Sequence, residues 1–193
     1  MSNHEFIPMT GLYYAGIGSR ETPLNICHAF TNVANQLYYD GWTLRSGGAD
    51  GADAHFANGT TRKEIYIPWA GFNKVKGGID IAELPEEIML QARYIAQQAH
   101  PNWKACSSAA RMLHTRNVFQ IMGRDLKSWS KLVICWTKGG TGQGGTGQAI
   151  RIANELGVPV FDLGKPNQQE VMRECESFVQ EIMNGLGQNN STG

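Results

Sequence analysis

The sequence predicts an α/β three-layer sandwich, with a mainly parallel central sheet and helices on both faces. Three observations carry this expectation. Short apolar runs such as residues 132–136 recur along the chain, helix-length amphipathic stretches separate them, and glycine-rich turns stand where strands give way to helices. A chain of 193 residues that is 41% apolar suits one globular domain. That domain is expected over residues 1–184, with residues 185–193 as a disordered tail because they carry too little apolar surface to order themselves.

The elements follow in order. Residues 12–17 read as the first strand. The next helix starts near Thr22-Pro23, where proline takes the first helical position, and runs to about Tyr39 before Asp40-Gly41 ends it. A strand over 42–45 leads into Ser46-Gly47-Gly48 and a short helix that stops at Asn58-Gly59, and 65–68 is a third strand. Residues 69–84 contain Gly71, Gly77 and Gly78 without a period and are expected to be a loop, placed to cover a site. Helices over 85–99 and 104–126 are separated by His100-Pro101-Asn102. The buried strand 132–136, a helix over 146–156, a strand over 159–163 and a last helix over 168–183 complete a Rossmann-like order. No internal repeat is visible.

Seventeen basic and seventeen acidic residues leave no net charge, so no global field marks the chain as a general nucleic-acid or membrane binder. The charge is uneven locally. Seven basic residues between Lys104 and Lys138 face the single acid Asp125, so an anion is expected to meet the middle of the chain. Cys27, Cys106, Cys135 and Cys175 lack the paired spacing of a zinc or redox motif and read as free thiols; neither a metal nor a cofactor is expected. No apolar run reaches membrane-spanning length and the MSNHEF start is unlike a signal peptide, so a cytoplasmic protein with no membrane partner is expected.

Three glycine-rich turns each follow a predicted strand and precede a helix. In an open parallel sheet such turns gather at the carboxyl edge, where helix N-termini expose unpaired N–H groups that suit phosphate. The first, Gly16-Ile17-Gly18-Ser19-Arg20, offers close backbone approach, a hydroxyl and a guanidinium able to grip phosphate through two donors. The second contains Ser46, Gly47, Gly48, Asp50 and Asp53 and continues to His55. Asp50 is placed to cap the helix and Asp53 to accept hydrogen bonds from ribose hydroxyls, although both also suit a helix start as favourable charges. The third runs from Thr137 and Lys138 through Gly144, Gly145 and Thr146. So many glycines cost chain entropy, which a phosphate cradle would justify. Their spacing is not that of a GxxxxGK[ST] phosphate loop. His28 and His114 fall within helices and read as packed or solvated, as does Arg116-Asn117 as a helix face. Trp69 and Trp136 follow strands and could flank a pocket.

Four stretches occur in one order: GIGSRETP, LRSGGADGADAHFANG, HTRNVFQIMGRDL and VICWTKGGTGQGGTGQAIRIANELGVPVFDL. The set, spanning roughly residues 11–163, resembles the SLOG superfamily, the Rossmannoid group of the DprA/Smf DNA-processing proteins, the YpsA-like proteins and the LOG phosphoribohydrolases. Residues 18–20, 46–55 and 116–117 are similar to the DprA-type pattern, and the run from Gly144 to Ala153 to the nucleotide-sensing branches. The resemblance implies a ligand site built from Gly18, Ser19, Arg20, Ser46, Gly47, Asp50, Asp53, Arg116, Asn117, Gly144, Gly145 and Thr146, and a homo-oligomer. LOG enzymes carry a glutamate after the third loop, where this chain has Thr146-Gly147-Gln148. An amide cannot serve as acid or base.

Three functions compete at this level. The first is a sensor or sequestering protein that binds a nucleotide or nucleotide-derived small molecule, such as an ADP-ribose derivative or a cyclic nucleotide, without cleaving it. The second is an N-glycosidic nucleotide hydrolase, with Asp50 or Asp53 replacing the glutamate and His55 assisting. The third is a DprA-like recombination mediator for single-stranded DNA. It is disfavoured by the lack of a winged-helix segment after the core, which leaves weak binding of single-stranded DNA as the expectation.

Overall fold

The computed structural model describes residues 11–189 and forms one six-stranded, all-parallel sheet in the order β4-β3-β2-β1-β5-β6. The strands are β1 Tyr13–Gly18, β2 Thr43–Ser46, β3 Lys63–Ile67, β4 Ile79–Asp80, β5 Leu132–Trp136 and β6 Val160–Asp162. The helices are α1 Leu24–Tyr39, α2 Ala52–Asn58, α3 Glu86–Gln98, α4 Ser108–Met122, α5 Gly144–Glu155 and α6 Gln168–Asn189. Side chains alternate across each strand, so both faces of the sheet need cover. In β5, Leu132, Ile134 and Trp136 join Phe30 and Phe56 of α1 and α2 and Val171 and Cys175 of α6. Val133 and Cys135 point the other way and join Ala92, Val118 and Ile152 of α3, α4 and α5. These two cores make the three-layer α/β sandwich.

The differences from expectation have local causes. Residues 69–84 are not all loop: β4 pairs with β3 through Tyr66–Ile79 and Ile67–Asp80 and is flanked by two short 3-10 turns. Two residues are too few for any periodicity to reveal. The helix expected from residue 104 starts at Ser108 instead, because the Ser107 hydroxyl caps it by accepting from the Ala110 N–H at 3.2 Å. It ends at Met122, four residues early, before Gly123, whose φ of 76° no helix continues. The last helix continues to Asn189, past the Gly185 at which the tail was expected to begin, and residues 190–193 lie outside the described part of the chain.

One consequence of the strand order positions the site. The chain builds outward from β1 to β4, then returns to place β5 on the other side of β1, with Gly18 beside Trp136 at the carboxyl end. The loops after β1 and β5 therefore leave the sheet toward opposite faces, and a crevice opens between them.

Candidate functional site

A cavity of about 430 Å³ occupies that crevice, a volume within the range of small-ligand pockets. The first loop contributes Gly18, Ser19 and Arg20; the second contributes Asp53; α4 contributes Arg116 and Asn117; the third loop and the start of α5 contribute Gly144, Gly145 and Thr146. Segments far apart in sequence thus meet around one space.

The α5 N-terminus is open toward this space. Its N-cap, Gln143, makes no side-chain cap, so the first N–H groups of the helix have no partner within it. A Cβ placed on Gly144 or Gly145 would meet nothing within 4 Å. Asn117 holds this turn from α4, donating from Nδ2 to the Gly145 carbonyl at 3.1 Å and to Gln148 Oε1 at 3.0 Å.

Arg116 is the charged centre of the cavity and is only 7% exposed. Among the described residues its Nε and Nη1 have no hydrogen-bond partner. The Asp53 carboxylate lies 3.6 Å from Nη1, near enough for an ion pair and too far for a hydrogen bond. Burial lowers the Arg116 pKa, Asp53 opposes that shift, and Arg20 adds to it. Burial likewise raises the Asp53 pKa, although Arg116 and the backbone N–H groups of Ala49 and Gly18 pull it down. Asp53 accepts from the Gly18 N–H at 3.2 Å and the Ala49 N–H at 3.3 Å, so it fastens the first loop to the second. Although Asp53 offsets its charge, the buried Nε and Nη1 lack hydrogen-bond acceptors among the described residues, a cost that an entering anion would recover.

The other residues singled out in the sequence do not line the cavity. The Ser46 hydroxyl is buried and donates to the Gly16 carbonyl at 2.7 Å, joining β2 to β1. Gly16 leaves room for Leu44 and Phe56, and Gly47 for the Arg116 guanidinium. Gly48 packs near Val75, and its carbonyl accepts from Asn73 Nδ2 at 3.1 Å. Thr137 hydrogen-bonds Asp162 through its hydroxyl and accepts from the Gly142 N–H at 3.0 Å, which shapes the third loop from behind. Lys138 is exposed in a 3-10 turn. Asp50 is exposed and makes no cap; Gly51 is the N-cap residue and α2 begins at Ala52. His55 turns toward α1, with Nδ1 at 3.3 Å from the Thr31 hydroxyl and its ring 6.0 Å from that of His28.

Sequence reasoning read His114 as packed or solvated and passed over Leu113, Ala110 and Gln120, yet all four line the cavity. The signal was available: positions 110, 113, 114, 117 and 120 follow the three-and-four spacing of one helix face. His114 is half-buried, and burial together with nearby His100 pushes its pKa below the ordinary histidine value. Phe72, from the segment expected to cover a site, also reaches the cavity wall. The basic stretch from Lys104 to Lys138 does not form one surface. Arg116 is buried in the cavity, whereas Arg124 borders a separate hollow with Tyr13, at the opposite end of β1.

Comparison with solved structures gives a likeness of the fold. A solved structure of DNA processing protein A from Helicobacter pylori, described by its single-stranded DNA binding mode, is similar to this chain with 16% sequence identity and a TM-score of 0.47. The likeness covers 92% of this chain and 81% of that one. No family model and no curated protein matches the chain.

Proposed function

We propose that the protein binds a nucleotide or nucleotide-derived small molecule, with a phosphate between Arg116, Arg20 and the N-terminus of α5. The observation that carries this reading is the buried Arg116 guanidinium, whose Nε and Nη1 have no hydrogen-bond partner among the described residues, in the wall of a cavity that also contains a helix start without a side-chain cap. Two positive groups and a set of free N–H donors around one small space favour an anion with several oxygens. The resemblance of the ordered motifs to the SLOG superfamily supports a nucleotide as the bearer of that anion.

Binding without cleavage is favoured by the position of Gln148. It is fully buried, donates from Nε2 to the Ala96 carbonyl at 3.1 Å, and receives Asn117 on Oε1. The residue in the place of the hydrolase glutamate is therefore a fixed amide that ties α5 to α3 and α4. Asp53, the buried acid at the cavity wall, already accepts two backbone N–H groups.

A thermal-shift series with mononucleotides, ADP-ribose derivatives and cyclic dinucleotides tests the reading, since a ligand bound only by the folded state raises the midpoint. At least one compound should do so in the parent and not in Arg116→Met, and it should be recovered chemically unchanged after heat denaturation. Multiple-turnover release of free base that stops in Asp53→Asn would favour the hydrolase reading instead. Tight, cooperative loading on long single-stranded oligonucleotides, with affinity falling steeply as salt rises, would overturn the small-ligand reading.

A further inference from the structure

The geometry points to a second, unassigned site: a zinc-class metal ion held by His100, Cys106 and His114. One ligand atom from each of the three residues lies within 4.8 Å of the other two, and all three residues are partly buried. The Cys106 sulfur is 3.7 Å from His100 Nδ1, which now accepts from the Asn102 N–H at 3.1 Å and so holds the ring's lone pair; a bound ion would take that lone pair in place of the Asn102 N–H, with the proton staying on Nε2. With metal–sulfur and metal–nitrogen bonds of about 2.3 and 2.0–2.1 Å, a tetrahedral ion separates S and N by about 3.6 Å, so that pair already spans the edge of such a site. Two imidazoles and one thiolate are the donor types that zinc-class ions prefer over magnesium or calcium.

The second shell supplies an independent observation. The Ala96 carbonyl can only accept, so the hydrogen bond from Gln148 Nε2 fixes the orientation of that amide. Gln148 Oε1 then faces Asn117 Nδ2 and lies 3.3 Å from His114 Nδ1. An amide oxygen also only accepts, so Nδ1 carries the proton and Nε2 of the neutral ring keeps its lone pair. Metal-binding histidines are commonly oriented by this kind of hydrogen bond on the far nitrogen. The rings of His100 and His114 are 4.3 Å apart, with Trp103 6.4 Å from His114 as an aromatic wall.

His100 follows α3, Cys106 precedes α4, and His114 lies within α4, so an ion here would clamp the reversal between the two helices. Cys106 now points its thiol toward the Asn102 carbonyl at 3.6 Å. On binding, the S–H bond breaks, the sulfur–metal bond forms, and one proton leaves to solvent. Three protein ligands leave a fourth position for water. Because His114 also lines the cavity, the ion would fix one wall of the proposed ligand site, but its binding does not depend on what the cavity holds.

The test uses the full chain, made without a histidine tag and stripped with a chelator. Added Zn²⁺ should bind at one equivalent, release a proton and raise the thermal midpoint. Added Co²⁺ should give the near-ultraviolet thiolate charge-transfer band and the visible bands of a tetrahedral ion. Cys106→Ser should abolish the charge-transfer band and weaken Zn²⁺ binding by about 100-fold or more, and His100→Ala should weaken it comparably, with circular dichroism confirming that both fold. Replacing the orienting Gln148 by Leu should weaken binding by about 10- to 100-fold. The assignment is overturned if the parent binds Zn²⁺ no better than Cys106→Ser, or if Co²⁺ binds without a sulfur band.

Discussion

The second and third glycine-rich loops look alike in sequence, yet the spaces beside their glycines are filled differently. In the second, the space above Gly47 is filled by the Arg116 guanidinium, and that above Gly51 by the backbone of Ser19 and Arg20. At the start of α5, Gly144 and Gly145 face open space. At Gly47 and Gly51 the missing side chain lets the protein pack against itself, as it does at Gly140 and Gly147 of the third loop, whereas at Gly144 and Gly145 it leaves space that the proposed ligand would use. A glycine run therefore marks a close approach without saying by what, and only the occupant of the missing Cβ position distinguishes scaffold from cradle.

The largest effect should come from the residue that joins the loops. Asp53→Ala leaves the half-buried Gly18 and Ala49 N–H groups without their acceptor, at about 1 kcal/mol each. Chemical denaturation should register this as a lower midpoint, and an unchanged midpoint would mean that the first two loops hold together without Asp53. Next, Gly47→Ala places a methyl group where the Arg116 guanidinium lies and should cost about 1–3 kcal/mol as overpacking, with loss of ligand binding as Arg116 is displaced.

Gly145→Val tests the other half of the comparison. Its side chain meets no protein atom near the Cβ, so stability should change by only about 0.5 kcal/mol, as at ordinary surface sites, while binding of any ligand found by thermal shift should be abolished. Full retention of affinity would show that the open glycines are not the cradle.

The smallest effect is a pH dependence. Because burial raises the Asp53 pKa above 3.8, the folded state holds that proton more tightly than the unfolded chain. This contribution to stability is fully present below 3.8 and is lost as pH rises through the higher folded-state value. Urea midpoints should therefore rise with pH in Asp53→Asn relative to the parent across that window. Parallel profiles would show that Asp53 titrates as it does in the unfolded chain.

Local patterns made most of the architecture legible. Alternation and length revealed five strands, the apolar faces revealed six helices, and strand–turn–helix order placed three loops at one edge. Two-residue β4 had no pattern to read, and the true start of α4 depended on one capping hydroxyl, that of Ser107. The motif residues were also visible, but not their division of labour. Ser46 and Thr137 are hydroxyls beside glycines, as a phosphate ligand would be, yet their partners are Gly16 and Asp162.

What the sequence determined by itself was the order of elements and the gathering of glycine-rich turns at the carboxyl edge, because strand alternation, helical periodicity and turn chemistry are properties of neighbouring residues. The tertiary structure decided which atoms fill the gaps in those turns. Arg116 reaches Gly47 across 69 positions of sequence, and His100, Cys106 and His114 converge only because the chain reverses between α3 and α4. Burial then gave these groups their chemistry: the same arginine that would be a solvated charge on an isolated helix is, beneath the folded loops, a guanidinium whose Nε and Nη1 find no hydrogen-bond partner among the described residues.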